Sequence, residues 1–177
     1  MIRMSRIASA AGAAVLLSAA LGATGCRYGT AGSLDPSIRT IGVTVLRNST
    51  SQPGLEGEVT SAVISALQSF GRLSIIRPED RPDLLLTGTI ETFRRNSVRT
   101  DRYGDPVRFE LEIEAVITVR RADGGHLVKK VRVSSLDGDA RGGQVDLTRG
   151  ESEARGRAAA AEDLGRNIAR RILEQGW

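Results

Sequence analysis

The chain has 177 residues, with 25 basic and 21 acidic side chains, one histidine, one cysteine and 3% aromatic residues. One histidine excludes a histidine metal cluster or a two-histidine acid–base site. One cysteine excludes internal disulfides, CxxC redox chemistry and cysteine-rich zinc sites. The scarcity of aromatic rings argues against base-stacking or sugar-binding platforms, and a net charge of +4 is too even a balance to favour a nucleic-acid partner.

At the N-terminus, Arg3 and Arg6 precede an uncharged run from Ile7 to Gly25 that ends in Leu21-Gly22-Ala23-Thr24-Gly25-Cys26. A positive start, an apolar middle and a small-residue end make a secretory signal, separate from the fold. The string also resembles the lipobox of bacterial lipoproteins, which predicts cleavage between Gly25 and Cys26 and a lipid on Cys26. Ala23 departs from the pattern, since leucine is commonest there. A permanent transmembrane anchor needs ~20 apolar residues, and this run of alanine, glycine and serine is weakly hydrophobic for one. Removing residues 1–25 takes two arginines away, leaving 23 basic residues against 21 acidic ones. Residues 26–37 then form a lipidated Gly/Ser/Pro tether, roughly 35 Å long if fully extended. Residues 38–177 are long enough for a single domain with its own core.

Within that domain, Ile38, Ile41, Val43 and Val45 predict a first strand over 38–46. Ser51-Gln52-Pro53-Gly54 opens a helix with Pro in its first turn. Leu55, Val59, Ala62, Val63, Ala66, Leu67 and Phe70 form its apolar stripe; Glu56 and Glu58 suit the N-terminal end of its dipole and Gly71 its C-cap. Leu73–Ile76 is a short apolar strand ending at Pro78, and Pro78 and Pro82 bracket a charged loop. Leu84–Phe93 predicts a strand in which Gly88 marks a bulge or a close approach by the helix. An arginine-rich extension runs on through Arg99 to a turn at 101–106. Residues 107–119 alternate most clearly: Val107, Phe109, Leu111, Ile113, Ala115, Ile117 and Val119 share one face, opposite Arg108, Glu110, Glu112, Glu114 and Thr118.

The next strand, Leu127–Leu136, follows a turn at Ala122-Asp123-Gly124-Gly125. Facing side chains favour a register pairing Val119 with Leu127, Ala115 with Val131 and Ile113 with Val133, with Glu114 opposite Arg132. Gly124 or Gly125 then has positive φ, and an inward-facing Lys129 extends its amine to water. After a glycine-rich connection, Thr148-Arg149-Gly150-Glu151 has capping-box spacing. A helix follows with the stripe Ala154, Ala158, Ala161, Leu164 or Gly165, Ile168 and Ile172. The order β-α-β-β-β-β-α predicts an α+β two-layer sandwich, with two helices on one face of a small, mainly antiparallel sheet. A right-handed crossover is expected for the first β-α-β if its strands are parallel.

No catalytic arrangement emerges. There is no GxSxG elbow, and His126 lies at a hairpin turn without an orienting carboxylate and nucleophile. Glu110, Glu112 and Glu114 have the spacing of a solvated strand face. The segment 138–143 lacks the Lys-Ser/Thr of a phosphate loop. Neither a metal nor another cofactor is implied. The unusual cluster is Arg94, Arg95, Arg99, Arg102 and Arg108 around one long hairpin, with Asp101 and Asp105 its nearby acids in sequence. These guanidinium groups suit bidentate contacts to phosphates or carboxylates; the alternative is a soluble, aggregation-resistant strand extension.

Several strings together resemble the lipopolysaccharide-assembly lipoprotein family LptE. They are Cys26-Arg27-Tyr28-Gly29, Leu34 through Ile41, Asn48-Ser49-Thr50 with Pro53-Gly54-Leu55-Glu56, Gly71-Arg72-Leu73, Leu86-Thr87-Gly88, and Ile168 through Leu173. The resemblance covers nearly all of the chain after the signal. It implies two helices on a small sheet, in an outer-membrane lipoprotein anchored through its N-terminal lipid at the periplasmic face. It also implies a place as plug and assembly partner inside the LptD β-barrel, with lipopolysaccharide as cargo. Arg27 after the cysteine is compatible with outer-membrane sorting. The opening Ile38 through Val43 with Asn48 is also similar to lipoproteins that activate peptidoglycan synthases, which implies a synthase partner instead.

Overall fold

The computed structural model describes residues 37–123, 127–138 and 143–173. The signal segment, Cys26, the tether through residue 36, Gly124, Gly125 and His126 lie outside the described residues.

Two short strands, β1 (Thr40–Val43) and β2 (Arg47–Asn48), stand where one was expected. The chain leaves the ladder between them because Leu46 turns into the core while its N–H donates to Thr60 Oγ1 at 3.0 Å. Helix α1 (Leu55–Phe70) buries Leu55, Val59, Val63, Ala66 and Leu67, the expected stripe, with Phe70 half out at its end. Pro53 stays outside this helix, before an N-cap at Gly54. Gly71 takes the left-handed conformation (φ 64°) and donates its N–H to the Gln68 carbonyl, a glycine-dependent stop. After β3 (Ser74–Ile76) and a 3-10 turn at Pro78–Asp80 come β4 (Leu84–Thr100) and β5 (Pro106–Arg121). Strands β6 (Leu127–Ser134) and β7 (Gln144–Asp146), a 3-10 turn (Leu147–Arg149) and helix α2 (Glu153–Leu173) complete the order.

The sheet runs β3-β1-β4-β5-β6, with β2 beside β4 and β7 beside β5. Strand β1 is parallel to β3 and β4, as a β-α-β unit requires; β4, β5, β6 and β7 pair antiparallel. Phe109, Leu111, Ile113, Ala115, Ile117 and Val119 are all buried in one core with residues of both helices. The fold is thus a small mixed α+β sandwich of two helices and a sheet. The short β2 and β7 are the elements the sequence pattern did not announce. Asp83 clamps the start of β1 to the start of β4: its carboxylate accepts from the N–H of Arg39 and Thr40, both at 2.8 Å, and from Thr40 Oγ1.

Three local expectations are corrected. First, β6 lies two residues away from the expected register: Val119 faces Lys129, Ile117 faces Val131, Ala115 faces Val133, and Glu114 faces Ser134 rather than Arg132. The turn is one residue longer, placing Arg120 opposite Leu127, and Val128 is then extra in a bulge. A slip of one alone would turn Val131 and Val133 to water, at about 1.5–3 kcal/mol for a fully buried side chain of that kind, so the bulge restores the parity. Lys129 does face inward, and desolvation, aided by Arg171, lowers its ammonium pKa.

Second, Gly88 pairs regularly with Ile117, and the bulge sits three residues on, at Glu91. A Cβ at Gly88 would lie 2.6 Å from Leu46 Cδ2, so the close neighbour is that side chain and not a helix. Third, α2 is capped by Ser152, whose Oγ accepts from the Arg155 N–H at 3.3 Å. Thr148 belongs instead to the 3-10 turn capped by Asp146, and the Glu151 carboxylate reaches back to the Asp146 N–H at 2.8 Å. Ala154 and Ala158 are exposed, while Gly156 and Ala160 are buried toward the sheet. The helices meet further along, where Gly165 lies directly against the Ala62 backbone.

Candidate functional site: an arginine hairpin

The β4–β5 hairpin runs past the covered part of the sheet, and every residue from Arg94 to Pro106 is exposed. Its geometry starts at the Glu91 bulge. Before the bulge, even-numbered residues of β4 face the core: Leu84, Leu86 and Ile90 are fully buried. After it the parity reverses, so Phe93, Arg95 and Ser97 stand opposite Ile113, Leu111 and Phe109 on the core face. Arg94 and Asn96 move to the outer face, opposite Glu112 and Glu110. Adjacent strand residues always take opposite faces; the extra residue decides that Arg95 has the core face and Arg94 the outer one.

Each arginine then meets its own surroundings. Arg94 lies 3.8 Å from Glu112 on the outer face. Arg95 stacks over the Phe109 ring at 3.8 Å and reaches Glu153 of α2 at 3.3 Å. Arg108 is the most committed: Nε and Nη2 both donate to Asp146 Oδ2, at 3.2 and 2.6 Å. Asp146 also accepts from the Thr148 hydroxyl and N–H. Thr148 and then Arg108 hold its carboxyl well below the usual carboxylate range.

Arg99 stands directly opposite Arg108, and Arg102 lies over the Tyr103 ring at 4.8 Å. Among the described residues, neither Arg99 nor Arg102 has an acidic partner. The turn itself consumes Asp101, whose Oδ1 accepts from the N–H groups of Tyr103 and Asp105, with Gly104 at φ 90°. The acids near the cluster are therefore mainly Glu112, Glu153 and Asp146, brought in from β5, α2 and β7, rather than the two in the turn.

Sequence reasoning missed the apolar side of this tip. Val98 is 54% and Tyr103 75% exposed beside the free arginines. Tyr103 sits inside a polar turn string, and Val98 owes its exposure to the hairpin outrunning the helix layer, so neither carried a pattern. Glu110, Glu112 and Glu114 are half-buried rather than freely solvated: Glu112 accepts from Ser134 Oγ at 3.3 Å, and Arg132 bridges across β5 to Glu91 at 3.0 Å. Among the described residues, His, Cys, Asp and Glu form no group suited to a metal, and no helix is long and apolar enough to cross a membrane.

Fold and site together define a small two-layer α+β domain whose distinctive surface is a cationic hairpin with exposed apolar side chains. The lipopolysaccharide-assembly model LptE matches residues 38–175, and the chain belongs to the LptE family. It is accordingly a non-catalytic outer-membrane lipoprotein of the lipopolysaccharide-assembly pathway. In fold it is similar to PelC from Paraburkholderia phytofirmans, a dodecamer, with TM-score 0.54 and 16% identity over 81% of this chain and 94% of that one. It is likewise similar to the hypothetical protein CT253 from Chlamydia trachomatis, with TM-score 0.55 and 8% identity over 76% of this chain and 95% of that one. At such identities the likeness is one of fold alone. No curated protein matches the chain in sequence.

Proposed function

We propose that this chain is the lipid-anchored partner of the LptD β-barrel, with its arginine hairpin contacting the phosphates of lipopolysaccharide on their way to the outer leaflet. Family membership supports the pathway. The observation that carries the contact is the hairpin tip, where Arg99 and Arg102 stand beside exposed Val98 and Tyr103. Cations next to apolar surface match an anionic amphiphile, whose phosphates and acyl chains need both. Arg95 pairs with the exposed Glu153, a surface contact worth about 0–1 kcal/mol, and the exposed Arg94 reaches the half-buried Glu112 only at 3.8 Å, so both can turn to a doubly charged phosphate. Arg108, bound to Asp146, fixes the hairpin's base. A lipid on Cys26 holds the domain at the periplasmic face of the outer membrane, within reach of the tether.

Converting Arg94, Arg95, Arg99 and Arg102 to Ser and titrating lipopolysaccharide over a salt series tests the contact. The expected result is an affinity reduced at least tenfold at low salt, with the salt dependence flattened. Unchanged affinity in the quadruple variant overturns it. Lipidation is read from the mass of the mature N-terminal peptide, which is expected to begin at acylated Cys26 and to be lost in Cys26→Ser.

A further inference from the structure

The hairpin also carries an open sheet edge. On one side β4 pairs with β5 along its whole length; on the other, its partner β2 stops at Asn48, opposite Ile90, with a last bond from the Ser49 N–H to the Ile90 carbonyl at 3.0 Å. From Thr92 to Thr100 that side has no strand partner among the described residues. Which backbone groups face outward follows from β5. Leu111 N–H donates to the Gly143 carbonyl, and the Ile113 carbonyl accepts from the Ser135 N–H, so odd-numbered residues of β5 turn their backbone groups away from β4. Phe93, Arg95 and Ser97, their partners in the ladder, therefore point their own N–H and C=O groups outward. From Phe93 to Ser97 this is a regular row of donors and acceptors in the geometry that accepts another strand, ending at the register shifts between Ser97 and Arg99 and between Arg99 and Thr100.

We infer that this edge of β4, from Thr92 to Ser97, is a docking site for an extended acidic segment of a partner protein, which joins the sheet as an added strand. Charge selects the occupant. An added strand would alternate its side chains between the outer face, near Arg94 and with Arg99 just beyond the register shift after Ser97, and the core face, near Phe93 and Arg95. Acidic residues at every second position would meet the outer arginines, while apolar ones would cover Phe93, which is only partly buried. A second copy of the same edge is a poor occupant, because it would set arginines against arginines. The inference goes beyond the lipopolysaccharide contact and does not rest on it: strand addition uses the backbone edge, and the shared arginines only select the charge of the occupant.

The test uses the full-length protein and a labelled ten-residue peptide alternating valine and glutamate, with a valine–lysine peptide as control, read by fluorescence anisotropy. The valine–glutamate peptide is expected to bind and the lysine peptide not to. Ser97→Pro removes one outward N–H and no bond to β5, which an edge position tolerates; it is expected to weaken binding at least tenfold with the melting temperature unchanged. The same peptide N-methylated at alternate residues keeps its charge, loses its strand-pairing donors, and is expected not to bind the unmodified protein. Absence of binding by the valine–glutamate peptide overturns the inference. So does equal binding of the N-methylated peptide, which would mean a charge contact without strand addition.

Discussion

Asp146 joins three parts of the molecule through one carboxylate. It accepts from Thr148, holds Arg108 at the hairpin's base, and caps the 3-10 turn that leads into α2. Its pKa is depressed, first by the Thr148 hydroxyl and then by Arg108; that of Asp83 is depressed by the N–H groups of Arg39 and Thr40. A depressed folded-state pKa stabilises fully above the unfolded value, about 3.9 for aspartate, and the stabilisation is lost as pH falls toward the folded value. Urea melts from pH 7 down to pH 3 are therefore expected to show stability falling below about pH 4. Asp146→Asn is expected to be less stable at pH 7 and to show a shallower acid limb; an unchanged limb would remove Asp146 from the account. Gly71 was legible as a helix stop because its chemistry is local. Asp146 was not, because its partners lie 38 residues upstream and two downstream and the glycine-rich segment before it has no period. Buried Asn167 was equally silent: its Nδ2 donates to the Ser134 and Asp137 carbonyls, tying α2 to the turn after β6, a pairing visible only once the helix is docked.

Helix packing depends on small residues at the element scale. A Cβ at Gly165 would fall 2.6 Å from the Ala62 carbonyl carbon and 2.9 Å from Val63 N, both backbone atoms that cannot rotate aside. Gly165→Ala is expected to destabilise the protein by about 1–3 kcal/mol through overpacking, outweighing the gain of about 1 kcal/mol in helix propensity. Gly57, also helical, has open space around its Cβ position, so Gly57→Ala is expected to stabilise by roughly 0.5–1 kcal/mol. Thermal melts of the two variants should move in opposite directions; a shift of the same sign in both would contradict the packing account. Near the same crossing, Arg157 grips Glu58 bidentately, at 2.7 and 2.9 Å, so a glutamate assigned from sequence to the α1 dipole also joins α1 to α2. The sequence told which faces of β5 and α1 are buried, since their large apolar residues recur at strand and helix periods. It misplaced the early part of α2 because a run of alanines looks alike on every side. It missed the offset of β6 because a bulge changes the register while preserving the faces.

The whole molecule is a lipoprotein domain of the LptE family with a basic hairpin projecting from a covered sheet. Its class and layer order were legible from element order and alternation, and the arginine cluster from its density. Its charge environment was not legible, because Glu112 is set by the β4–β5 register and Glu153 and Asp146 come from α2 and β7. The most direct test of the central claim, that this domain serves the lipopolysaccharide translocon, is to solubilise outer membranes, capture the lipidated full-length chain, and identify the protein that copurifies. The account predicts a heat-modifiable β-barrel identified as LptD, in comparable amount. Capture of a penicillin-binding peptidoglycan synthase with no barrel would contradict it.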